Sequence, residues 1–320
     1  MMTVSKIVLA FTGVIAAIGC AEAQTYPSQD VHMVVGFAAG SGPDIVARFL
    51  ADKLRPKLGK TILVENKPGA VGNIATEYVA KSKADGHTLY MTGGSTLAAA
   101  TYLFKNQTTD ARTLEVAATM ASAPILMVVA ANAPYQKLAD LSAALKAKGD
   151  KASYGTAFPT ARVAGAIYRD SIGGKAVEVQ YKTSSDWIND LTSGNIDFAF
   201  IDATAGFGLS KAGRFRVMAV STAKRSVAMP DFPTITEGGV KLDIGSWWAV
   251  FAPQGTPKPV LEKLHTDISD VVGTDEAKTF FSSTGYDTWI TTAQEARAAY
   301  LKEFKDWADY VKIAKIEPQG

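Results

Sequence analysis

Thiol and imidazole chemistry is scarce in this sequence. Cys20 is its single cysteine, and the three histidines, His32, His87 and His265, include no pair at metal-ligand spacing. That argues against a zinc site and against a small scaffold held by disulfides. An excess of one charge is also missing. The chain has 33 basic and 31 acidic residues, a net +2, so no cationic stripe can follow a phosphate backbone and no nucleic acid partner is expected. Nucleotide and nucleophile motifs fail as well. Gly59-Lys60-Thr61 resembles the end of a P-loop, but Leu54 stands where its first glycine belongs, and the stretch follows a helix. Gly36, Gly40 and Gly42 lack dinucleotide spacing, and Ser41 and Ser95 lack the flanking glycines of a nucleophile elbow. No cofactor, no metal and no catalytic residue is expected.

A long apolar run is found only at the start. Residues 7–18 follow Lys6 and carry no charge, which is signal-peptide length and short for a membrane span. Ala21-Glu22-Ala23 before Gln24 fits small-x-small cleavage, so residues 1–23 are expected to be removed on export to the periplasm. Gly19-Cys20 offers a competing lipoprotein site, although Ala17 stands where leucine is usual. With cleavage after Ala23 the mature chain keeps 32 basic and 30 acidic residues and no cysteine. Its length suits two ordinary domains with a large core, and a soluble protein is expected.

The rest alternates short β-like runs with amphipathic helical patterns. Val31-His32-Met33-Val34-Val35 reads as a strand, followed by a glycine-rich turn and a helix from Pro43 whose apolar face is Ile45, Val46, Phe49, Leu50 and Leu54. Pro43 suits the first helical position and Asp44 the first turn, while Pro56 should end or kink the helix just before it. Residues 61–64, 88–91, 125–130, 152–154, 177–181, 198–201, 217–220 and 247–252 read as further strands. Helices are expected from Asn73, over 138–148, over Val163, Ile167 and Tyr168, and near 259–271 and 293–314. Strand–helix alternation implies a mostly parallel sheet with covered faces, an α/β fold.

Several strand-to-helix loops are rich in small residues. They are Phe37-Ala38-Ala39-Gly40-Ser41-Gly42-Pro43-Asp44, Gly93-Gly94-Ser95-Thr96 and Gly155-Thr156-Ala157-Phe158-Pro159-Thr160. Each lets a ligand approach the backbone, and the free amides at the next helix start carry partial positive charge. Such loops lie at the carboxyl ends of strands, where open α/β sheets bind ligands. Singly each is no more than a tight connection; together they point to an anion site.

The resemblance to a known family is carried by the first loop with Glu65-Asn66-Lys67-Pro68-Gly69-Ala70-Val71-Gly72-Asn73-Ile74, by Ala84-Asp85-Gly86-His87-Thr88-Leu89 and by Gly194-Asn195-Ile196-Asp197-Phe198. Ala219-Val220-Ser221-Thr222-Ala223-Lys224-Arg225-Ser226 and Phe251-Ala252-Pro253-Gln254-Gly255-Thr256-Pro257 extend it across nearly the whole mature chain. The sequence resembles the Bug family, the solute receptors of tripartite tricarboxylate transporters related to the TctC citrate receptor. The resemblance implies a two-lobed periplasmic-binding-protein fold closing on a carboxylated solute. One lobe would hold residues 24–127 and 246–320, the other residues 128–245. It implies membrane permease subunits as partners and a monomeric receptor. As ligand contacts it implies Phe37, Ala39, Gly40, Ser41, Asp44, Ser95, Thr96, Thr156, Ala157, Thr160, Tyr181 and Asp202.

Three departures fall in the pocket-forming loops. Ala38-Ala39-Gly40-Ser41-Gly42-Pro43 replaces a proline and glycine run, Phe158-Pro159 shortens a glycine-rich loop, and Thr183-Ser184 replaces a glycine pair. Phe158 joins the candidates, either stacking on the ligand body or plugging the core. Arg162 either clamps a carboxylate or is solvated. Asp202 either faces the cleft or caps a helix. Trp247 and Trp248 should point opposite ways, one to the core and one to the cleft, with Tyr181 the better site candidate. A fixed Phe158 ring favours an aromatic or medium-chain carboxylate over citrate. The competing functions are a serine-dependent hydrolase using Ser41 or Ser95, and a sensory receptor feeding a membrane kinase.

Overall fold

The computed structural model describes residues 26–105, 107–181 and 184–318. The expected export signal and Cys20 therefore lie outside the described residues. The first half runs β1 (Val31–Val35), α1 (Gly42–Leu58), β2 (Ile62–Asn66), α2 (Asn73–Ala80), β3 (Thr88–Gly93), α3 (Gly94–Leu103) and β4 (Glu115–Ala130). The middle continues with α4 (Leu138–Lys148), β5 (Ser153–Thr156), α5 (Pro159–Ser171), β6 (Val177–Gln180), α6 (Ser184–Ser193), β7 (Phe198–Asp202), α7 (Ala203–Lys211) and β8 (Phe215–Val220). The chain closes with β9 (Gly245–Ala252), α8 (Lys258–Val272), α9 (Asp275–Ser283), β10 (Asp287–Thr288) and α10 (Ala293–Ile313).

The strands follow the order β2-β1-β3-β9-β4-β7-β5-β6, with β8 and β10 also paired to β4. β4 is shared between two lobes. Its first part pairs antiparallel with β9, from Glu115↔Ala252 to Pro124↔Gly245, and its second part with β7 and β8, beginning at Ile125↔Asp202. The changeover falls at Pro124, which has no amide to donate and so suits a strand at the point where one ladder stops. The parallel β1–β2 and β1–β3 pairs build one lobe, and the parallel β5–β6 and β5–β7 pairs the other.

Each lobe is held by the apolar face that its sequence periodicity announced. In α1, Val46, Leu50, Leu54 and Leu58 are buried against Val31, Met33 and Val35 of β1. Each such side chain contributes about 1.5–3 kcal/mol. In the other lobe Tyr154 stacks on Phe198 at 5.2 Å, with Tyr168 edge-on.

Four expectations needed correction. α1 does not stop before Pro56; it ends at Leu58, where Gly59 takes a left-handed conformation at φ 65° and its amide bonds the Arg55 carbonyl. In the last turn a proline forfeits a single ladder bond, which the αL cap partly replaces. The strand expected at 125–130 is only the second part of a strand that begins at Glu115. The first part, Glu-Val-Ala-Ala-Thr-Met-Ala-Ser-Ala, is alanine-rich with only Val116 and Thr119 β-branched, so tertiary pairing decides it. The sheet is mixed instead of mostly parallel, since β3–β9, β4–β9, β4–β7 and β4–β8 all pair antiparallel where β4 and β9 join the lobes. The short helices α6 and α9 were not anticipated either.

Candidate functional site

A cavity of about 510 Å³ opens between the lobes. Helices α1, α3, α5 and α7 all begin at its wall, contributing Gly42 and Pro43, Thr96, Thr160, and Thr204 and Ala205. Each helix start carries roughly half a positive charge from its unpaired amides. Phe37, Ile45, Val46, Ile125, Phe158 and Phe280 supply apolar walls. Trp248 closes one side between Phe37, edge-on at 6.4 Å, and Tyr286 at 6.2 Å. The buried Trp248 Nε1 donor has no hydrogen bond of good geometry.

Among the described residues no lysine, arginine or histidine lines this cavity, and Asp202 and Tyr286 are the ionisable groups that do. Asp202 settles the two readings offered for it by meeting both. It is the N-cap of α7, accepting from the Ala205 amide at 3.0 Å, and it also forms part of the cavity wall. Burial pushes its carboxyl above the usual range, opposed by bonds from the Ala205, Asp202 and Thr204 amides.

Of the candidates, Phe37, Thr96, Phe158, Thr160 and Asp202 meet around the cavity. Phe158 stands in an extended conformation at φ −152°, ahead of Pro159 at the first turn of α5, and it packs on the core on its other side. Ala39, Gly40 and Ser41 lie in the loop that leads into α1 without lining the cavity. Gly40 sits at φ +79°, where a side chain would be strained, and Ser41 Oγ is buried without a partner.

Asp44 is placed inward as a brace for that loop. Its carboxylate accepts from the Gly40 amide at 2.8 Å, Arg48 Nε at 3.0 Å and Asn66 Nδ2 at 2.9 Å, while Asn66 also donates to the Phe37 carbonyl at 3.0 Å. The Arg48 guanidinium is the main reason that its pKa falls to about 2. Ser95 is buried below the cavity, its Oγ 3.1 Å from Glu303 Oε1 and 3.3 Å from the Gly245 carbonyl.

Thr156, Ala157 and Tyr181 border a separate, smaller cavity of about 160 Å³, which Phe158 shares. There Thr156 Oγ1 donates to Glu178 at 2.7 Å, and the Tyr181 hydroxyl donates to Asp190 at 2.7 Å. Arg162 pairs with Glu178 at 2.9 Å instead of reaching the larger cavity. Of the two tryptophans, Trp248 faces the larger cavity, and Trp247 is turned to the opposite side of β9, almost fully buried. Ser246, Phe280, Thr284 and Tyr286 completed the wall without any signal in the sequence, because they come from distant segments that only the fold brings in.

Comparison with known proteins agrees with this architecture. Residues 46–315 match the model of the tripartite tricarboxylate transporter family receptor, TctC. A UPF0065 protein of Bordetella bronchiseptica is 32% identical over 306 residues, covering 94% of this chain and 90% of that one. The structure of R. palustris Rpa4515 with adipate superposes with a TM-score of 0.79 at 29% identity, covering 92% of this chain and 100% of that chain. The structure of the periplasmic binding protein BugD gives 0.74 at 30% identity, with the same coverage. The chain thus belongs to the Bug/TctC family of tripartite tricarboxylate transporter receptors.

Proposed function

We propose that this protein is an extracytoplasmic receptor that captures a small carboxylate with an apolar or aromatic body and hands it to the membrane permease subunits of a tripartite tricarboxylate-type transporter. The observation that carries this reading is the larger cavity itself, where four helix starts meet apolar walls with no cation among the described lining residues. One carboxylate can be met there by amides, by the Thr96, Thr160, Thr204 and Ser246 hydroxyls and by Trp248 Nε1. Charge-assisted bonds of this kind contribute about 1.5–3 kcal/mol each. Two further carboxylates would be desolvated beside Asp202 without counter-ions, at several kcal/mol per ion. A tricarboxylate is therefore disfavoured, and the adipate complex of the R. palustris relative accords with a ligand that carries methylenes between its charges.

A binding role is further supported by where the histidines lie. His32 pairs with Glu65, His87 with Asp85, and His265 Nδ1 lies 3.2 Å from the Ala117 carbonyl, so none activates Ser41 or Ser95. Among the described residues no helix is long and apolar enough to cross a membrane, which accords with an exported receptor.

A thermal-shift screen over aliphatic and aromatic mono-, di- and tricarboxylates, each beside its amide, tests the reading. A carboxylate at about 100 times its Kd should stabilise the protein by about 2.7 kcal/mol, and its amide should not. Equal shifts from acid and amide would reject it. Replacing Phe158 by alanine should weaken an aromatic carboxylate by about 0.5–1.5 kcal/mol beyond lost area, measured by titration calorimetry. Unchanged affinity would remove Phe158 from the site. The moving bodies are taken as residues 24–127 with 246–320, and residues 128–245, with the hinge in β4 within the few residues after its change of partners at Pro124. Small-angle scattering should show a smaller radius of gyration with saturating carboxylate, and identical curves would contradict closure.

A further inference from the structure

A second cavity, of about 380 Å³, opens between the lobes on the other face of β9. Trp247 turns into it as Trp248 turns into the carboxylate cavity, and Thr160 and Ser246 border both. Its accessible aromatic surface is Trp289 and Tyr310, backed by the almost fully buried Trp247 and Trp307. Trp289 stands edge-on to Trp247 at 5.3 Å, and Tyr310 to Trp307 at 6.0 Å.

Carboxylates face those rings. Glu303 of α10 lines the cavity and accepts from Trp247 Nε1 at 2.8 Å and from Ser95, both through Oε1, which leaves Oε2 without a bond among the described residues. Asp287, also in the wall, accepts from the Val227 and Ala228 amides. Next to it Ser226, only 4% exposed, has an Oγ with no hydrogen-bond partner, and Ser226 lines the cavity. A buried hydroxyl without a partner is costly unless something occupies the space before it.

The cations in the wall do not balance these acids. Arg225 is committed in a two-pronged pair with Glu237, at 2.8 and 2.6 Å, and Lys302 is paired with Asp306. Lys224 is exposed. Asp287 and Glu303 have no ion-pair partner among the described residues. Indole faces with neighbouring carboxylates and a free hydroxyl are the chemistry that recognises an ammonium group.

We propose that this second cavity is a binding site for a small organic ammonium ion, its N–H groups donating to Ser226 Oγ and the carboxylates of Asp287 and Glu303, its apolar part lying against Trp289 and Tyr310. The site is independent of the carboxylate cavity, and binding needs no carboxylate present.

Titration calorimetry with benzylammonium, and with benzyl alcohol as its neutral analogue, tests this on the full mature protein. Benzylammonium should bind at millimolar concentration or below, and benzyl alcohol at least tenfold more weakly. Ser226→Ala removes a hydroxyl that bonds to nothing in the protein, and Glu303→Gln keeps an acceptor for Trp247 and Ser95; each should weaken benzylammonium at least fivefold. Asp202→Asn, in the other cavity, should leave it unchanged. No binding heat up to 10 mM benzylammonium, equal binding of the alcohol, or losses confined to Asp202→Asn would overturn the proposal. None of these outcomes touches the acid-against-amide comparison, so the two readings stand or fall separately.

Discussion

Replacing Asp44 by alanine should lower the melting temperature by about 4–8 °C and abolish measurable carboxylate binding together. The side chain is 2% exposed and ties the first loop to α1 and β2 by accepting from the Gly40 amide, Arg48 Nε and Asn66 Nδ2. Removing it orphans two donors and frees the loop that sets the start of α1. Unsatisfied polar groups cost about 1–3 kcal/mol each. Asp44 is covered by the thin loop it braces and Arg48 is exposed, so the low end applies, about 2 kcal/mol in total, or roughly 2–4 °C per kcal/mol. The pH dependence has a definite sign. The folded pKa of about 2 lies below the ordinary carboxylate value, so this stabilisation is present above about pH 4 and is lost as pH falls towards 2. Acid unfolding of the alanine variant should be flatter in that window. Differential scanning calorimetry from pH 2 to 7 checks both statements, and a variant with wild-type melting and binding would contradict them.

Replacing Asp202 by asparagine should tighten carboxylate binding by about tenfold at pH 8. A like charge at the cavity wall opposes an anion by on the order of 1–2 kcal/mol at an effective dielectric near 20. Asparagine still caps α7, so the Ala205 amide keeps its acceptor. In the wild type, burial raises the Asp202 pKa, and a bound anion raises it further. The ionised form of Asp202 is thus penalised in the folded protein and more so in the complex. Affinity should fall as pH rises through the Asp202 pKa, once the ligand itself is ionised, and the asparagine variant should lose that dependence. Calorimetric titrations at pH 5 and pH 8 with both proteins would show it. A weaker-binding variant would mean that Asp202 accepts a bond from the ligand.

The parts of this account that were legible in the sequence are those set by local patterns. Phe37, Thr96, Phe158, Thr160 and Asp202 stand at or just past strand ends, where small residues and helix starts advertise themselves, and all five border the cavity. Gly94 illustrates a tighter constraint that no pattern reveals. A Cβ there would come within 1.9 Å of the Trp247 ring, so the start of α3 is fixed by a residue some 150 positions away. Tyr286, Phe280 and Ser246 escaped notice for the same reason, since their role depends on how α9 and β9 return to the first lobe. Asp44 and Ser95 share the loops but point inward, because a polar side chain on a helix's first turn can brace the loop as readily as face a ligand. The first part of β4 was hidden by its alanines, whose preference is overridden once β9 lies alongside.

The central claim is that a carboxylate occupies the cavity where α1, α3, α5 and α7 begin. Titration of the strongest carboxylate from the screen, and of its amide, into the wild type and into Ala205→Trp tests it most directly. Ala205 is on the cavity wall in the first turn of α7, and an indole there fills much of the roughly 510 Å³ space. The acid should bind the wild type and the amide should fail, while the tryptophan variant should bind neither and melt near the wild-type temperature. Undiminished binding of the acid by a folded Ala205→Trp protein would place the ligand elsewhere and contradict the account.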